Sequence, residues 1–128
     1  MATTGEAEPE PEFVKHCKDE SSFMTGLVEA DENMVIVYFT ASWCIPCHHM
    51  AEPYKEVAKH FVEAQKPVVF LEVDVDENSV VADKYNIDAL PSFALFRDKD
   101  FVESFSGAYV EKIHEFVETN LPDYKPPE

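Results

Sequence analysis

Apolar residues fall into two kinds of pattern along this chain. Met34 to Thr40 and Val68 to Val75 are near-continuous apolar runs, as in strands buried on both faces. Met50, Tyr54, Val57, Ala58 and Phe61 recur at helical spacing, as do Val110, Ile113, Phe116 and Val117. Shorter signals fill the gaps. Phe13 to Cys17 reads as a first strand, and Ser21 and Ser22 are candidate caps for a helix ending near Ala30. Asp76 to Asn78 opens a short helix that reaches about Tyr85. Ala94 to Phe96 and Phe101 to Phe105 form a hairpin around a turn at Asp98 to Asp100. Pro53, inside the second helix, predicts a kink, because its ring clashes with the preceding turn. The order is strand, helix, strand, helix, strand, helix, strand, strand, helix. It predicts an α/β fold with a central mixed sheet and helices on both faces. The core of the sheet is parallel, and the C-terminal hairpin is antiparallel.

Composition sets the limits of this unit. Residues 1–12 are acidic and proline-containing and read as a disordered tail; 13–121 form one domain; 122–128 are a short polar tail. With 26 acidic against 10 basic residues the net charge is −16, which argues against nucleic acid and anionic membranes and favours basic partners. No stretch is long enough to span a membrane, and the first residues carry neither the basic nor the apolar run of a targeting signal. Three cysteines, two of them three positions apart, are too few for a disulfide scaffold and point to a reducing compartment. The expectation is a cytoplasmic monomer.

The chemistry concentrates in Trp43-Cys44-Ile45-Pro46-Cys47, between a strand and a helix. Two thiols at this spacing close a small disulfide ring. A helix N-terminus offers unpaired N–H groups and a positive dipole end, both of which favour an anionic sulfur. The thiolate is the form that attacks disulfides. Cys44 is expected to be exposed and attacking, with Cys47 one turn deeper. Pro46 fixes φ in the first turn, where no helical hydrogen bond is lost. Ile45 either contacts the substrate or is a neutral exposed residue. Trp43 shields the motif and offers a flat contact surface, packs in the core, or does both. Cys44, Cys47 and His48 also spell a haem-attachment pattern, but the acidic, strand-rich chain argues against haem. Structural zinc is disfavoured too. No second Cys/His pair stands at finger spacing, and the adjacent His48 and His49 point about 100° apart on a helix. No metal or resident cofactor is expected. His48 is either a titratable neighbour that tunes the thiolate or a solvated surface histidine. Cys17 reads as a buried small hydrophobe.

Four segments in order resemble the thioredoxin family: Ala41 to Cys47, Phe70 to Asp76, Leu90-Pro91-Ser92 and Phe105 to Ala108. The resemblance covers about Phe13 to Leu121. It implies a thioredoxin fold and a thiol–disulfide oxidoreductase that reduces protein disulfides through a Cys44/Cys47 cycle. Its partners would be disulfide-containing clients, with NADPH-dependent thioredoxin reductase as electron donor. It further implies a cis peptide at Leu90-Pro91 and a client groove at Trp43, Ile45, Pro46, Leu90, Pro91 and Gly107. The departures concern tuning. Ile45 replaces the usual glycine, His48 replaces a basic residue, Pro53 is shifted by one position, and Lys99 stands where a glycine is usual. Tyr38 stands where the family has a buried aspartate, and a phenol is a poor base at neutral pH. Glu72 is a candidate substitute for that carboxylate beneath Cys47. Two alternatives remain open: a specialised, less reducing relative with few clients, and a binding module on the same fold.

Overall fold

The computed structural model describes residues 12–127, so the tail expected at 1–12 lies, except for Glu12, outside the described residues. The element order is β1 (Val14–His16), α1 (Glu20–Ala30), β2 (Met34–Thr40), α2 (Ile45–Glu63), β3 (Val68–Asp74), α3 (Ser79–Lys84), β4 (Ser92–Arg97), β5 (Asp100–Ser106) and α4 (Val110–Asn120). The strands form one sheet of order β1-β3-β2-β4-β5. β1 and β2 each pair parallel with β3, while β4 runs antiparallel to both β2 and β5. The sequence-based order and mixed sheet are both found.

Strand β2 is central, and its apolar run is explained by burial on both faces. Met34, Ile36 and Tyr38 face α2 and α4, meeting Met50, Tyr54, Phe61 and Ile113. Val35, Val37 and Phe39 face the other way, against Phe23 and Leu27 of α1 and Val81 of α3. Each such side chain contributes about 1.5–3 kcal/mol when fully withdrawn from water. Tyr54 also bridges strands: its one hydroxyl proton is shared between the carbonyls of Leu71, at 2.8 Å, and Ile36, at 3.1 Å. Buried polar groups of this kind are stable only when bonded.

Three local expectations change. The α1 cap is Asp19, not Ser21 or Ser22. The Asp19 carboxylate accepts the Ser22 N–H at 2.7 Å, and the Ser22 hydroxyl accepts the Asp19 N–H at 3.2 Å. Ser22 is thus the inner half of a reciprocal capping pair. Helix α2 begins at Ile45, before its apolar stripe, and extends to Glu63 with Pro53 inside it. The hairpin turn is confined to Asp98 and Lys99, at φ 51° and 69°. Two consecutive positive φ values match the right-handed twist of the flanking strands, and glycine or asparagine would adopt them more cheaply than lysine.

Candidate active site

Strand β2 delivers the chain to Ala41, and α2 leaves from Cys44. Cys44 is the N-cap, with extended backbone at φ −90° and ψ 104°, and its Sγ accepts the Cys47 N–H at 3.2 Å. A cap normally offers an oxygen to this orphan donor; here a sulfur takes the place. Pro46 lies within the first turn, where its missing N–H costs nothing. Cys44 and Cys47 are joined in a disulfide with Cα atoms 5.3 Å apart.

The expected exposure of Cys44 is corrected. It is only 5% exposed, against 0% for Cys47, because Ala41, Val75 and Leu90 close around it. Its neighbours carry the exposure instead: Trp43 is 65% and Ile45 66% exposed. Core packing of Trp43 is therefore ruled out. Its indole N–H donates to Asp76 at 2.7 Å, which fixes the ring's orientation at the surface.

Behind Cys47, a cleft of about 250 Å³ is lined by Tyr38, Cys47, His48, Glu72, His16 and others. The Tyr38 hydroxyl donates to the Cys47 carbonyl, and its ring stacks on Phe93 at 5.2 Å. Burial, helped by the Glu72 charge, pushes this phenol above its ordinary pKa. Tyr38 is therefore a donor that positions the Cys47 backbone, not a base. Glu72 faces Tyr38 across the β2–β3 register. Its carboxylate bonds His16 Nδ1 at 3.2 Å, while His16 Nε2 bonds Glu77 at 2.6 Å. Partial burial opposes a charge on His16, but the bonds to Glu77 and Glu72 outweigh it, and the net shift is upward. His48 is exposed, with Nε2 bonded to the Ser42 carbonyl at 2.7 Å.

Opposite the disulfide, Leu90-Pro91 is cis, with Pro91 buried and Leu90 packed against the Cys44 cluster. The Gly107 N–H donates to the Pro91 carbonyl at 2.9 Å. Gly107 sits at φ 116°, and a Cβ there would run into the Tyr109 ring. The positive φ is what requires glycine, since the exposed Tyr109 ring could swing aside.

The structure thus gathers Trp43, Cys44, Ile45, Pro46 and Leu90 on one side, and Tyr38, Cys47, His48 and Glu72 on the other. His16 lines the second of these hollows and Asp88 the first, and Asp76 holds the Trp43 indole; none of the three was singled out by sequence. The His16–Glu72 contact depends on β1–β3 pairing between residues 56 positions apart, and no local motif encodes it. Among the described residues, no three His, Cys, Asp or Glu side chains gather as a metal site, and no helix is long and apolar enough to cross a membrane.

The thioredoxin family model matches residues 14–119. The chain belongs to the thioredoxin family. Among its relatives, the H-type thioredoxin of Oryza sativa subsp. indica is 46% identical over 73% of this chain and 73% of its own length. The thioredoxin of Geodia cydonium is 35% identical over 84% of this chain and 99% of its own. The X-ray structure of Fasciola hepatica thioredoxin superposes with a TM-score of 0.74 at 31% identity, covering 80% of this chain and 95% of that one. Together with the Cys44–Cys47 disulfide, this membership makes the chain a thiol–disulfide oxidoreductase of the thioredoxin type.

Proposed function

We propose that this thioredoxin-family chain reduces protein disulfides with Cys44 as nucleophile and Cys47 as resolving thiol. The supporting observation is the sulfur cap: Cys44 Sγ faces the Cys47 N–H at the start of α2, which stabilises negative charge on Cys44 once the disulfide is reduced. The Cys44 thiolate attacks one client sulfur; a bond forms between them, and the client's other sulfur leaves as a thiolate and takes a proton. The Cys47 thiolate then attacks Cys44 Sγ, restoring the internal disulfide and releasing the second client thiol. Two electrons and two protons pass to the client. Glu72, which shares the cleft with Cys47, accepts the Cys47 proton in the resolving step. His16 and Tyr38 hold Glu72 and the Cys47 backbone in place.

Trp43, Ile45, Pro46, Leu90, Pro91 and Gly107 form the client surface, and residues 13–121 are the working domain. NADPH, through thioredoxin reductase, regenerates the dithiol in the cytoplasm. The test is insulin reduction driven by dithiothreitol, and then by NADPH with thioredoxin reductase. Turnover in both assays is expected. Turnover with dithiothreitol alone would remove that reductase as donor, and turnover in neither would leave a binding module.

A further inference from the structure

On the outer side of Cys44 lies an open hollow of about 550 Å³ whose lining includes Trp43, Cys44, Ile45, Pro46, Leu90 and Asp88. Its floor is apolar. Its charge is of one sign only: Asp88 is its one charged lining residue and is exposed at the rim, while Asp76, outside the lining, holds the indole of Trp43. Among the described residues, no lysine or arginine lines it. Lys84 of α3 and Lys112 of α4 instead lie over the rings of Tyr85, at 5.6 Å, and Phe105, at 4.7 Å. The whole chain carries a net charge of −16, so the local sign at the hollow and the long-range field agree.

We infer that this hollow selects client disulfides set in an apolar segment that carries a lysine or arginine, with Asp88 as the residue that reads the cation. This rests on the protein-disulfide reductase reading above and adds the client class to it. A client segment crossing the hollow is extended, so its cysteine and the residue two positions away share one face. With the cysteine at Cys44, an apolar neighbour meets Ile45 and Leu90, and the long basic side chain reaches the rim. An acidic side chain there meets Asp88 unpaired. Both effects are short-ranged and weaken with salt.

The test uses two otherwise identical peptide disulfides, one with lysine and one with glutamate two positions from the cysteine. The fully reduced protein is mixed with each, and the second-order rate is measured at low and high salt. Each rate is divided by that for dithiothreitol, which removes the peptide's own effect on leaving-thiol acidity. At low salt the lysine peptide should react about fivefold faster, from a contact worth roughly 1 kcal/mol, and salt should shrink the ratio. Asp88→Lys should invert the preference. Glu118→Lys, which makes the same charge change at the far end of α4 from Gly107, should leave it standing. Equal normalised rates for the two peptides, or a preference abolished equally by both variants, would overturn the inference while leaving the reductase reading intact. If the protein reduces neither peptide, the reductase reading itself fails.

Discussion

Cys17 and Cys44 are both almost sealed from solvent, at 0% and 5% exposure, yet their surroundings differ. Cys17 follows β1. Its own N–H is spent on the Glu72 carbonyl at 2.9 Å, and its sulfur is only a weak donor to the Lys15 carbonyl at 3.8 Å. Burial pushes the thiol up to about 11, outweighing the one favourable charge, that of Lys15, while Asp19 and Glu72 add to the rise. Cys44 sits among apolar neighbours too, but a helix begins at its sulfur and a backbone N–H points at it. On the proposed mechanism, what separates the inert thiol from the attacking one is the direction of nearby backbone dipoles, since exposure barely differs.

The sharpest break of this comparison is by substitution at each site. Cys44→Ser should reduce insulin turnover to background, while Cys17→Ala should leave it within about twofold and cost stability of roughly 1 kcal/mol for the lost buried group. Cys47→Ser should retain the first attack and accumulate mixed disulfides visible by intact-mass measurement. Loss of turnover in Cys17→Ala, with the fold intact by circular dichroism, would erase the distinction between the two environments.

Glu72 connects the two environments, since its carbonyl bonds Cys17 and its side chain opens on the Cys47 cleft. Glu72→Gln should slow client release from a Cys44-linked peptide by about a hundredfold at neutral pH, the low end of what a positioned base contributes. The initial attack should be unaffected, so stopped-flow traces should show a normal first phase and a slow second. Equal slowing of both phases would mean that Glu72 serves the fold alone.

The smallest expected effect is electrostatic. The folded protein holds the His16 proton more tightly than the unfolded chain does. That contribution is complete below the unfolded histidine pKa of about 6.5 and fades as pH rises through the higher folded value. Denaturant titrations of wild type and His16→Gln should therefore differ more at about pH 5.5 than at about pH 8.5. The gap should stay under about 1 kcal/mol, because the ring is half-exposed and screened.

Much of this was readable from residues alone, for physical reasons. Continuous and helical apolar periods report directly on burial, so β2, β3, α2 and α4 were legible together with their order. The motif at Trp43 to Cys47 was legible from its spacing and its place before a helix, and the cis bond at Leu90-Pro91 through family resemblance. Cys44's burial was not, because Val75 and Leu90, which cover it, arrive from distant elements. Asp19 was missed as a cap because neighbouring serines offer the same chemistry, and only backbone geometry decides which residue stands outside the first turn. His16 stayed hidden because strand register is a property of the assembled sheet.

Alkylation of the fully reduced native protein by iodoacetamide, resolved by peptide mass across a pH series, tests the role of backbone dipoles most directly. Cys44 should be modified first, with its apparent pKa below the ordinary thiol value. Cys47 should follow slowly, and Cys17 should remain unmodified until denaturant unfolds the chain. Cys47 reacting ahead of Cys44, or Cys17 reacting at a comparable rate in the folded protein, would contradict the assignment of reactivity to the sulfur cap of α2.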